Sequence, residues 1–156
     1  MANNNGTIPT LNTPSRRPII TLDAARTLRA DESGAVVVFN AAAGFTTTLP
    51  AACDNGTFFE FVIGTTVTSV GLKVITGAAT ELMVGNIINT DTDSSDALAS
   101  WKSLVATSNI SFTLNGTTSG GLIGDRIVVT KVTSTKWQVT GTTLATGVVV
   151  TPFATS

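Results

Sequence analysis

Short β-branched runs with a two-residue period, each closed by a glycine, a proline or an Asn-Gly pair, constrain this chain more than any other feature. Phe45, Thr47 and Leu49 share one side of an extended segment that Pro50 ends, and Thr46 and Thr48 share the other. Over residues 57–63, Phe59, Phe61 and Ile63 alternate with Phe58, Glu60 and Val62. Residues 70–76 continue the pattern, with Val70, Leu72 and Val74 on one face, and in 109–114 Ile110, Phe112 and Leu114 face inward. Residues 125–132 and 137–141 read as a hairpin, and 147–151 as a final strand. Residues 35–39 are apolar on both faces, which marks a strand covered on both sides: a central strand or one at an interface. Residues 23–33, with Ala24, Ala25, Leu28 and Ala30, suit one or two helical turns at most.

Turn signals at roughly 8–12-residue spacing divide the chain into about nine strands, the pattern of an all-β fold. The expected architecture is a β-sandwich or jelly-roll-like barrel, and the Thr- and Gly-rich texture leaves a β-helix as the other β arrangement. A single domain over residues 19–156 fits the length of 156 residues. Residues 1–18 form a separate extended arm: they hold Pro9, Pro14 and Pro18, each of which fixes φ and removes a backbone donor.

Composition narrows the chemistry. Histidine is absent and Cys53 is the one cysteine. That excludes a disulfide framework, His/Cys zinc sites and histidine-based nucleophile triads. A net charge of −1 disfavours nucleic-acid binding by bulk charge, and no apolar run is long enough to span a membrane as a helix. The first residues lack the basic and apolar regions of a secretory signal, so synthesis in a cytoplasm without processing is expected. Only 12% of residues are charged, and they are unevenly placed. Arg16, Arg17, Arg26 and Arg29 stand against Asp23 at the front, the middle is acidic, and Arg126, Lys131 and Lys136 follow. A basic front end on an acidic body suits a head-to-tail or arm-to-partner contact, and the plainer reading is that the four arginines are simply solvated.

Few constellations could carry chemistry. Residues 91–96 (Asp-Thr-Asp-Ser-Ser-Asp) offer oxygen ligands but lack the glycine and glutamate of a calcium loop, so a solvated loop is the better reading. Asn5, Asn55 and Asn115 each begin an Asn-Gly-Thr triplet; as Asn-Gly turns, Asn55 and Asn115 need no glycan to explain them. Glu60 and Glu81 are the candidate buried acids, each more simply read as facing solvent or paired with an arginine. The glycine-rich stretch 120–124 has no Lys-Ser/Thr after it, unlike a phosphate-binding loop. Trp101 and Trp137 are either core residues or, if exposed, a platform for a sugar.

Residues 27–50 (Thr-Leu-Arg-Ala-Asp-Glu-Ser-Gly-Ala-Val-Val-Val-Phe-Asn-Ala-Ala-Ala-Gly-Phe-Thr-Thr-Thr-Leu-Pro) resemble a pattern of small structural proteins of tailed bacteriophages. Residues 56–64 are similar to the strand that follows there, and 124–141, with Gly-Asp-Arg-Ile-Val-Val and Lys-Trp-Gln-Val-Thr-Gly, look like the closing Trp hairpin. The landmarks span most of 20–141 and include no catalytic motif; the polar stretch 89–97 departs from the pattern. The resemblance implies a capsid decoration (cement) or head-fibre protein. Such a chain is an all-β, non-enzymatic structural protein, commonly a homotrimer, on the outer capsid surface of the virion. There it binds between subunits of the major capsid protein and stabilises the shell. No cofactor or metal is implied. Pro9, Pro14, Arg16, Arg17 and Pro18 are then the candidate contacts to the capsid or to sister subunits. A fibre or receptor- or glycan-binding module of the particle is the alternative, with Trp101 and 91–96 as its candidate site.

Overall fold

The two-residue period becomes two facing sheets in the computed structural model, which describes residues 16–93, 98–103 and 108–156. The strands are β1 (Ile19–Leu22), β2 (Arg26–Thr27), β3 (Val36–Phe39), β4 (Thr46–Thr48), β5 (Phe58–Ile63) and β6 (Leu72–Ile75). There follow β7 (Leu82–Asp91), β8 (Leu98–Ser103), β9 (Ser111–Leu114), β10 (Arg126–Thr133), β11 (Lys136–Ala145) and β12 (Phe153–Ala154). The larger sheet has seven strands in the order β1-β3-β5-β10-β11-β7-β8, and the smaller has five, β12-β9-β6-β4-β2. This is a β-sandwich, with both sheets mixed rather than antiparallel throughout.

The first half is wound as a coil. From β1 to β6 the chain alternates between the sheets, and β1-β3-β5 and β2-β4-β6 stack in parallel. Ile19, Val36 and Glu60 thus lie side by side, as do Arg26, Thr47 and Val74. The β-helix texture of the sequence is realised locally here, inside a sandwich. The Asn55-Gly56 and Asn115-Gly116 turns consequently pass the chain between sheets rather than closing hairpins. Gly116 needs its φ of +80°, and a Cβ there would strike the Val67 carbonyl. The β10–β11 pair is the expected hairpin, longer than its sequence signal on the β11 side.

Alternation sorts the core. Phe59, Phe61 and Ile63 face inward from β5, with Val37 and Phe39 beside them and Phe112 opposite on the smaller sheet. Phe39 stacks on Phe61 at 5.5 Å between centroids, and Phe61 meets Phe112 edge-on at 6.3 Å, which ties the layers together. Several expectations change. The 23–33 segment holds the two-residue β2 and one 3-10 turn over Ala30–Glu32, where Glu32 accepts from the Arg29 amide. Residues 147–151 are not a strand, and the chain ends on β12. Val70 stands outside β6, exposed with φ +53°, so the inward row begins at Leu72. Asn109 and Ser111, expected outward, are buried: Asn109 Nδ2 donates to the Ser103 hydroxyl at 3.1 Å, and the Ser111 hydroxyl donates to the Ser156 carbonyl at 2.7 Å under the C-terminal segment.

Candidate assembly surface

The inner face of the seven-stranded sheet is spent on the core, which leaves the outer face to be read from strand register. One row across it runs Ile19, Val36, Glu60, Val128, Thr140, Asn86 and Lys102. The next runs Thr21, Val38, Val62, Arg126, Thr142, Ile88 and Ser100. The β1–β3–β5–β10 half is therefore mostly valine and isoleucine, and the β11–β7–β8 half mostly threonine and small polar residues. Among the described residues no helix or third sheet lies over this face. Ile19, Phe58, Leu98, Val132 and Leu144, five of the large apolar side chains exposed on the molecule, lie on or at its rim. β3 lies second from the sheet edge, its inner side in the core and its outer side half-buried, with no described strand or helix over it.

The N-terminal stem enters at this face. The Pro18 carbonyl accepts from the Val36 amide at 2.8 Å, which starts the β1–β3 ladder. Arg17 reaches across β3 to β5: its Nε donates to the Gly34 carbonyl at 2.9 Å, and its Nη1 is ion-paired with Glu60. Its guanidinium lies 5.5 Å from the centre of the Phe58 ring. Arg126 pairs with the other Glu60 oxygen from β10. Glu60 is 7% exposed while its partners stay largely in solvent. The Arg126 guanidinium hydrogen-bonded to Glu60 holds its carboxyl at about 2, with Arg17 adding to the effect against the opposing cost of burial. In return Glu60 raises the Arg126 value. Of the sequence candidates, Arg16, Arg17 and Pro18 are exposed at this stem, whereas Pro9 and Pro14 lie outside the described residues. Glu60 and Arg126, which anchor the stem, were not singled out with it. The available signal was a lone acid alternating with apolar neighbours on a strand.

The remaining candidates are structural. Glu81 is buried, ion-paired with Lys131, and accepts from Trp137 Nε1 at 2.8 Å; Lys131 also lies 5.0 Å from the Trp137 ring centre. Asp125 ties its own loop to β11, with Oδ2 accepting from the Gly121 and Leu122 amides and Oδ1 from Leu144, while burial pushes its carboxyl up. Those bonds account for the glycine-rich stretch 120–124. Trp101 packs against the core with its Nε1 buried, so it is not presented as a sugar platform. In the acidic stretch, Asp91 accepts from the Asp93 amide, Asp93 accepts from the Gly147 amide, and residues 94–97 lie outside the described residues. Comparison with family models, with curated proteins and with solved structures finds no match to this chain.

Proposed function

We propose that the chain is a structural virion protein that decorates a bacteriophage capsid, binding the outer surface between major capsid protein subunits and stabilising the shell without catalysis. The observation that carries this reading is the anchored stem. Beyond β1, which it precedes, Arg17 is bound to β5 through Glu60 and the Phe58 ring and to the turn before β3 through the Gly34 carbonyl. A load on residues 1–15 passes through Arg17 into the middle of a seven-stranded sheet instead of peeling β1 from the edge. That is how an extended terminus grips a neighbour. Exposed Arg16 and Arg17 add attraction for acidic surface on the shell. Repetition over a lattice multiplies weak single contacts. The phage resemblance of residues 27–50, 56–64 and 124–141 supports the same assignment.

The test is add-back to purified capsid shells that lack the chain, with bound copies counted after sedimentation. Full-length protein is expected to saturate a fixed number of sites. Removing residues 1–15 is expected to weaken binding at least tenfold while the thermal melt shifts little, and Arg17→Ala to weaken it as much with a melt lowered no further than by loss of the Glu60 pairing. Failure of the full-length chain to bind, or equal occupancy by the truncated chain, refutes the reading.

A further inference from the structure

We infer that Asn89, Thr143 and Trp101 enclose an internal site for ordered water on the inner side of the larger sheet, independent of the stem and of the outer face. β7 and β11 send alternate residues inward, and the large ones stop part-way along. Met83, Ile87, Trp137 and Val139 pack in the core, whereas the next inward positions are Gly141, Asn89, Thr143 and Ala145. Ala99, Asn89 and Thr143 are direct neighbours across β8, β7 and β11. Trp101 stands two residues along β8 from Ala99, the diagonal position from which an aromatic side chain reaches across to Asn89. Asn89 is fully buried and Thr143 nearly so. Five buried side-chain polar atoms have no hydrogen-bond partner among the described residues, and four of them are here: Asn89 Nδ2 and Oδ1, Thr143 Oγ1 and Trp101 Nε1.

Chemistry, space and enclosure all select water. Asn89 Nδ2 and Trp101 Nε1 only donate, Asn89 Oδ1 only accepts, and the Thr143 hydroxyl does both. A cation would satisfy the oxygens alone, and an anion the donors alone. One water accepts from an N–H and donates to the amide oxygen from the same position. Space comes from the inward Gly141, Ala99 and Ala145, which carry little or no side chain where the rest of the sandwich is filled by large apolar groups. Enclosure comes from the Gly120 backbone, which lies directly on Thr143: a Cβ at Gly120 would stand 2.8 Å from Thr143 Cβ and 3.1 Å from its Oγ1. The Gly116 amide donates to the Gly120 carbonyl at 2.7 Å and fixes that loop in place. Four sealed polar atoms left unmatched would be costly, and a buried water held by about three hydrogen bonds is the ordinary remedy. The fifth atom, Thr47 Oγ1, stands on the smaller sheet between Arg26 and Val74, a lone hydroxyl with too few polar neighbours to hold a water.

A high-resolution crystal structure of the full-length protein, with thermal melts of two variants, tests this. A water is expected within about 3.2 Å of Asn89 Oδ1 and of at least one of Thr143 Oγ1 and Trp101 Nε1. Thr143→Val keeps the shape of the side chain and removes one of the water's partners, so it is expected to lower the melt by about 2–4 °C. Thr47→Val, which removes a hydroxyl that holds no water, is expected to leave the melt unchanged or raise it. A crystal structure with no water at this position overturns the inference, as does one in which both ends of the Asn89 amide bond to protein. An ion ligated by oxygens alone at about 2.3–2.6 Å overturns it too. So does a Thr143→Val melt equal to or above the parent's, the result expected when an unpartnered hydroxyl is replaced by a methyl. A Thr47→Val loss as large as that of Thr143→Val has the same consequence, because it separates the loss from the water.

Discussion

The Glu60 anchor yields the most direct energetic test, through Glu60→Gln. The side chain keeps its size and one acceptor but presents an amide N–H₂ to donors. The carboxyl falls from an ordinary 4.5 to about 2 in the folded chain, first through the Arg126 hydrogen bond and then through Arg17. At about 1.4 kcal/mol per tenfold change in proton affinity, that difference is worth about 3 kcal/mol. Solvent around guanidiniums that are 40% and 58% exposed reduces the usable part to about 1–2 kcal/mol. Because the folded value is the lower one, the unfolded chain binds the proton first as pH falls. The stabilisation is therefore complete above about pH 5 and is lost between there and about pH 2. At pH 7 Glu60→Gln is expected to melt about 3–6 °C below the parent. At pH 2 the gap should shrink to a small remainder, since about half of the folded parent's Glu60 carboxyls are then protonated. Other acids titrate over the same range in both proteins, so the gap between the melts isolates Glu60. Equal melts at pH 7, or a gap that persists undiminished at pH 2, would refute the reasoning.

Two further outcomes follow from the interior. Glu81→Ala leaves Lys131 and the Trp137 N–H buried without their acceptor and is expected to cost about 3–5 kcal/mol in urea unfolding; Glu81→Leu with Lys131→Met should recover most of that, and a single-variant loss under about 1 kcal/mol would contradict the buried pair's role. Cys53, half-buried and donating to the Pro50 carbonyl at 3.6 Å, has its thiol pushed up by burial, so it is expected to react with a disulfide reagent at pH 8 at least tenfold more slowly in the native protein than in urea; equal rates would contradict it.

What the sequence made legible is what alternation alone decides. Phe59, Phe61 and Ile63 against Phe58, Glu60 and Val62 place both sides of β5 correctly, and the Trp137 hairpin reads directly. Alternation does not say which strands become neighbours. The coil from β1 to β6 joins strands parallel through connections of unequal length, so no repeat period appears, and Asn-Gly pairs that suit hairpins serve as crossings instead. Residues 147–151 have strand composition, yet only the Val150 amide is held by a backbone partner, the Thr118 carbonyl, while Val148 is 84% exposed. The stem residues Arg16, Arg17 and Pro18 were readable as an arm. Their fastening to Glu60 and Arg126 was not, because it joins positions far apart in the chain through the fold itself.

An open apolar sheet face invites uncontrolled association unless something limits how chains can meet, and here the limit is set at the edges. The outermost strands of the larger sheet are β1, four residues long and preceded by Pro18, and β8, six residues long and carrying Lys102. Those of the smaller sheet, β12 and β2, have two residues each. Short, proline-flanked or lysine-bearing edges offer little backbone for an incoming strand to pair with. Growth by edge pairing, the route to open-ended fibres, is thereby suppressed, while face packing remains available. Edge protection of this kind leaves the outer face of the larger sheet, rather than its strand edges, as the surface open to a partner.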